Sequence, residues 1–152
     1  MQRLLPPHLF AILLTATIAV GLALPIAGPL PIFVRVLGVP LAVAGLALNL
    51  GGAGLFDRIG TNIQTFRDPD RLVTEGPFRI TRNPMYLGFT LMLVAAAVLV
   101  GSLSAAVGPA GFFAAAHRWY IPFEERRMEA TFGAAFDDYR KRVPRWVGPV
   151  RP

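Results

Sequence analysis

The sequence predicts an all-α polytopic membrane protein of one domain over 1–152, with about four spans and a charged C-terminal tail. Two observations carry this. Hydrophobic residues make up 54% of the chain and charged residues only 16%, with a mean hydropathy of +0.52, whereas an ordinary soluble domain is about 25% charged. The apolar residues also come in long uncharged blocks rather than at amphipathic spacing, which is the pattern of bilayer spans.

The first predicted span is 8–26, rich in Leu, Ala and Ile, ending at the breaker run PIAGPLP. No charge occurs over 9–33. That run is longer than a signal-peptide core, and no A-x-A site follows it, so a span is expected rather than a cleaved signal. The second span is 36–56. Gly38, Gly45, Gly51, Gly52 and Gly54 lie in it, and small residues let membrane helices approach closely. Asn49, inside this span, should face another helix rather than lipid. The same glycines could also pair two copies of the chain; the sequence does not set the oligomeric state.

The segment 57–84 is polar and carries Arg58, Arg67, Arg71, Arg79 and Arg82. Loops of that length are often functional. From 85 to 116 there is no charge. One helix of that length would reach about 48 Å, against a hydrocarbon core of about 30 Å. Two spans, 85–101 and 108–122, joined by a tight turn at GSLSAAVGP, fit better. Pro122 should end or kink the fourth helix. The tail, 123–152, reads as an amphipathic helix with Phe132, Phe136 and Tyr139 at helical spacing, stopped by Pro144.

Basic residues crowd the 57–84 loop and the tail and are absent from the 101–109 turn. The positive-inside rule places loop, tail and both termini in the cytoplasm, with Arg35 the one dissenting charge. The net charge of +6 flanks apolar runs, so the expected partner is anionic lipid and not nucleic acid. The chain has no cysteine and two distant histidines, which argues against a metal site. It also lacks a nucleophile elbow, a Walker loop and a Rossmann glycine pair.

Three polar clusters fall on the cytoplasmic side. In GPFRITRNPMYLG, 76–88, Gly76-Pro77 is a turn dipeptide, Asn83 an N-cap candidate and Pro84 a first-turn proline. The helix start beside Arg82 suits an anion, and equally a plain capped helix with an interfacial Tyr86. The second cluster is His117, Arg118, Glu124, Glu125, Arg126 and Arg127, readable as a salt-bridged helix start. The third, FGAAFDDYRKRVPRW at 132–146, reads either as a basic helix on lipid or as a lid over the other two.

GPFRITRNPMYLG, a hairpin of about 35 residues, H-x6-EE and FGxxFxxYRKRVPRW, in this order and spacing, resemble the isoprenylcysteine carboxyl methyltransferase and phospholipid methyltransferase superfamily. GTNIQTFRDPDRLVTEGPFR resembles its lead-in. The resemblance covers roughly 60–146. It implies a small integral membrane enzyme, of the bacterial inner membrane if the GC-rich codon bias suggested by Arg, Ala and Pro usage is followed. It implies S-adenosylmethionine as methyl donor and a lipid-like acceptor, an isoprenylcysteine-type carboxylate or a phospholipid amine. By the resemblance the cofactor site falls to Gly76, Pro77, Arg82, Asn83, Tyr86, Gly88, His117, Glu124 and Glu125. Arg82 would meet the cofactor carboxylate, Tyr86 its ring, and Glu124 or Glu125 its ammonium or ribose. Glu125 is the expected base for an amine acceptor, and Arg79 or Arg142 the holder of a lipid phosphate. Many members carry His where this chain has Asn83, which can hydrogen-bond but not take a proton near neutral pH. The alternatives are an NADPH-dependent membrane reductase on a related scaffold and a non-enzymatic lipid-binding protein.

Overall fold

The computed structural model describes residues 4–27, 29–60 and 71–149. Seven α-helices occur among them: α1 Pro6–Ala23, α2 Ile32–Arg35, α3 Gly38–Ile59, α4 Pro84–Val100, α5 Val107–Ala115, α6 Ile121–Phe132 and α7 Ala134–Arg142. Short 3-10 turns precede α4 (Gly76–Arg79) and α5 (Leu103–Ala106), and a π-helical turn, Ala116–Tyr120, joins α5 to α6. Much of the GTNIQTF lead-in, with Arg67, lies outside the described residues, as does Arg3.

Pro6–Ala23 and Ile32–Ile59, the second including α2, are long and apolar enough to cross a membrane. The third expected span appears as α4, with 17 residues and a length of about 26 Å. Gly101 ends it at φ +79°, a left-handed C-cap that glycine adopts without strain.

Helix α4 is the centre of the bundle. It packs on α3 along one side and on α1 and α5 along others. The α3 contact uses three of the glycines in that span, spaced seven residues apart. A Cβ on Gly38 would meet Leu99 and the Ala95 carbonyl oxygen, at 2.6 and 2.8 Å; one on Gly45 would meet the Gly88 oxygen at 2.6 Å; one on Gly52 would meet Met85 at 3.0 Å. Gly54 faces open space. Asn49 lies in this seam as expected, its Nδ2 donating to the Gly45 oxygen at 3.0 Å and reaching Met92 Sδ at 4.0 Å. On the other side Gly108 of α5 seats against Thr17 and the Leu13 oxygen of α1.

Two sequence expectations are corrected. Pro122 does not end the fourth helix. The chain stays helical from Val107 to Phe132 because the π turn intervenes. In it the Ile121 N–H bonds the Ala116 oxygen, five residues back, so the helix meets the proline at the start of a fresh turn, where its missing N–H is tolerated. Second, the tail is two helices rather than one. Gly133, at φ +48° and ψ −122°, breaks it, and α7 stops at Arg142, ahead of Pro144.

Arg35 has a structural explanation. Its Nε–H donates to the Leu99 oxygen at 2.7 Å, at the carbonyl-rich end of α4, where a cation is favoured. The same end is closed by the Ile26 N–H on Ser102 Oγ at 3.1 Å and the Leu30 N–H on the Gly101 oxygen at 2.8 Å.

Candidate functional site: an arginine–glutamate–arginine cluster at the start of α4

The opposite end of α4 gathers all three polar clusters. The chain enters through the Gly76–Arg79 turn, in which Gly76 has φ +55° and Phe78 packs edge-on to Phe56 of α3 at 5.4 Å. Helix α7 lies on this turn. Tyr139 donates its hydroxyl to the Phe78 oxygen at 2.7 Å, and Phe136, Tyr139 and Val143 form a small core with Leu72, Met128 and Phe132. Burial raises the Tyr139 hydroxyl well above its ordinary pKa, with a smaller opposing pull from Arg82. It therefore remains a donor at any physiological pH.

After α7 the chain crosses the start of α4 as a strap, 143–146, whose carbonyls are taken in sequence. The Arg82 guanidinium donates to the Val143 oxygen at 2.7 Å and to the Arg140 oxygen at 3.0 Å. The Arg82 backbone N–H donates to the Pro144 oxygen at 2.9 Å. Thr81 Oγ1 and Asn83 Nδ2 donate to the Arg145 oxygen at 2.9 and 3.0 Å. This bent, irregular segment thus has the carbonyls of 143, 144 and 145 satisfied by three consecutive residues, Thr81, Arg82 and Asn83.

Glu125 stands at the centre. Its Oε1 accepts from Arg82 Nη2 at 2.8 Å and from Arg145 Nε at 3.2 Å, and its Oε2 accepts from Arg145 Nη2. Burial alone would raise its pKa; the hydrogen bonds and positive charges of Arg145 and Arg82 outweigh this and hold it below the usual carboxylate range. Beside it, Tyr86 donates its hydroxyl to Glu124 Oε1 at 2.8 Å. The rim is aromatic. Trp146 Nε1–H donates to His117 Nδ1 at 3.1 Å, and Phe113 stacks on His117 at 5.6 Å and packs against Trp146 at 4.8 Å.

Several of the expected roles change. Glu125 does not suit a general base, because the two guanidiniums favour its ionised form and so weaken its pull on a proton. Arg82 is not an open anion donor; most of its donors tie down the strap and Glu125. Asn83 sits at the N-cap position but makes no side-chain cap, since its amide is engaged by the strap. Tyr86 is buried, 7% exposed, and stacks on Tyr120 at 6.1 Å, so its ring face is filled from within. Gly88 faces Gly45 and Asn49 in the α3 seam, away from the acidic pair. Pro77 packs toward Gly51. Arg79 is exposed and Arg142 bonds the Asp138 oxygen at 3.1 Å; neither enters the cluster. Sequence reasoning does not single out Thr81 or Arg145. A helix-stopping Pro144 followed at once by Arg145 is the one signal available.

The family model of phospholipid methyltransferases matches residues 33–135, which takes in α3, α4 and the acidic pair. The chain belongs to the phospholipid methyltransferase family. It is 40% identical over 91 residues to methanethiol S-methyltransferase 2 of Bradyrhizobium diazoefficiens, covering 58% of this chain and 31% of that one. It is 36% identical over 81 residues to protein-S-isoprenylcysteine O-methyltransferase B of Arabidopsis thaliana, covering 51% of this chain and 39% of that one. The matches thus span less than two-fifths of either relative's length. No solved structure gives a significant match.

The family implies S-adenosylmethionine, and the donor set fits it. A carboxylate and guanidiniums suit the two charges of its amino-acid end. Arg82 Nε–H is buried with no acceptor among the described residues, a donor that a ligand oxygen would satisfy.

Proposed function

We propose that this chain is an S-adenosylmethionine-dependent membrane methyltransferase acting on a lipophilic acceptor at the cytoplasmic interface. The observation that carries the reading is the meeting of the α4 start, the acidic pair and the tail strap around Glu125, on a chain of this family. S-adenosylmethionine would supply a methyl group on a sulfonium, transferred by in-line displacement. Such a step depends chiefly on alignment. The protein's share is to hold the donor's charged end at Glu125 and its neighbours, with four spans and both termini facing the cytoplasm.

The state of Glu125 narrows the acceptor. An amine must lose a proton, and Glu125 is a poor acceptor for it. A carboxylate arrives without that proton, whereas a thiol, with an ordinary pKa of about 8.5, arrives mostly protonated and meets the same difficulty as the amine. Of the two relatives, the isoprenylcysteine O-methyltransferase is named for an oxygen acceptor of this kind, and the methanethiol S-methyltransferase for a sulfur one. We therefore rank a lipophilic carboxylate ahead of a thiol or a phospholipid amine.

The test is methyl transfer from labelled S-adenosylmethionine by the detergent-purified protein to three acceptors in parallel: a prenylated cysteine, a long-chain alkyl thiol and phosphatidylethanolamine. Label should enter the prenylated cysteine's carboxylate in preference to the thiol and the amine. Preferential labelling of the thiol or the amine would overturn the acceptor assignment, and failure to label any of the three would count against the enzyme reading.

A further inference from the structure

We propose that the Glu125–Arg145 pair is a built-in receptor for a zwitterionic α-amino-acid group, opened when the ligand arrives. Glu125 takes the ligand's ammonium, and Arg145, released from Glu125, takes its carboxylate. This rests on the reading above and adds to it a binding residue, Arg145, that lies beyond the family match ending at 135.

The argument starts from how the two arginines differ. Arg82 is fixed. Its side chain is 12% exposed and makes three bonds, to Val143, Arg140 and Glu125. Arg145 is held in two unlike ways. Its backbone oxygen is bonded by Thr81 and Asn83. Its guanidinium, in side-chain terms 31% exposed, bonds Glu125 alone among the described residues. The guanidinium can therefore leave Glu125 while the strap stays in place. Glu125 is also partly accessible at the rim, 19% exposed, and keeps Arg82 as a partner throughout.

Charge matching supplies the specificity. A free guanidinium on Glu125 fills the place an ammonium would take, since both are cationic donors to a carboxylate. A ligand with only the ammonium would displace Arg145 and leave it unpaired. A ligand with both charges gives every group a partner, two ion pairs for one. Opening the internal pair weakens binding of any cation-only ligand, so the site discriminates through the second charge.

The test is calorimetric titration of the full-length, detergent-purified protein with S-adenosylhomocysteine and with its decarboxylated analogue, S-adenosyl-3-thiopropylamine, on wild type, Arg145→Gln and Arg145→Lys. Wild type should bind S-adenosylhomocysteine roughly 10- to 100-fold more tightly than the amine, a comparison that needs no variant. Arg145→Gln should weaken S-adenosylhomocysteine by a similar factor yet leave the amine unchanged or tighter, because Glu125 is then open to it. Arg145→Lys should fall between. Equal loss of both ligands in Arg145→Gln, or unchanged S-adenosylhomocysteine binding, would overturn the receptor while leaving the methyltransferase reading in place. Binding of neither adenosyl ligand by folded wild type would overturn both.

Discussion

Glu125 shows what a single residue's surroundings decide. A carboxylate after a membrane helix is by sequence alone a candidate base, ligand or solvated charge. Two guanidiniums on its oxygens select among these, because they lower its proton affinity. Its folded pKa lies below the unfolded value, so its contribution to stability is complete above the ordinary carboxylate value of about 4.3 and fades as pH falls through the lowered folded value. Replacement by Gln should destabilise the protein by roughly 2 kcal/mol at neutral pH, between the values for exposed and buried pairs. The gap between wild type and Glu125→Gln, read from thermal melts in detergent, should be constant above about pH 5 and narrow on acidification. A gap that widened with acid would contradict the ion-pair assignment. Arg145 is harder to foresee than Glu125. The basic tail already holds Arg126, Arg127, Arg140, Lys141 and Arg142, and only the crossing of the strap over α4 distinguishes one more from those.

At the scale of elements, the two long apolar helices and α4 were legible because an uncharged run has few uses outside a bilayer or a core. The glycine face of α3 was legible as a tendency. Which glycines mattered was not, because that depends on where α4 lies. The pair Gly88 and Gly54 tests the seam. A Cβ at Gly88 would fall 2.6 Å from the Gly45 oxygen, so Gly88→Ala should push α3 and α4 apart and lower stability by about 1–3 kcal/mol. Gly54→Ala meets nothing within 4 Å and should be neutral or stabilising by up to about 1 kcal/mol. Melting temperatures of the two variants, side by side, check this; equal shifts would remove the seam's special status. The break at Gly133 and the continuity through Pro122 were illegible for a common reason. Glycine and proline mark where a helix can change course, and the packing around them decides whether it does.

For the whole molecule, the two ends of α4 are tied differently. One end is closed by Arg35, Ser102 and backbone bonds to Ile26 and Leu30. The other carries the charged cluster and the strap. The charge asymmetry behind the expected orientation yields a direct test, since the chain has no cysteine of its own. Single cysteines at Asp57 and at Leu103, both exposed, should react oppositely with a membrane-impermeant thiol reagent on intact cells. Leu103→Cys should label at once and Asp57→Cys only after lysis; the reverse pattern would invert the topology. The π turn between α5 and α6 bears on the same large-scale arrangement. Each helical residue advances the screw by about 100° and 1.5 Å. Removing one residue from 116–120 would therefore leave the packing of α5 on α1 and α4 in place, yet swing Glu124 and Glu125 about a quarter-turn away from Tyr86 and Arg82. The aim of the acidic pair is set by the count of residues between membrane and site, and one surplus residue keeps the two in phase.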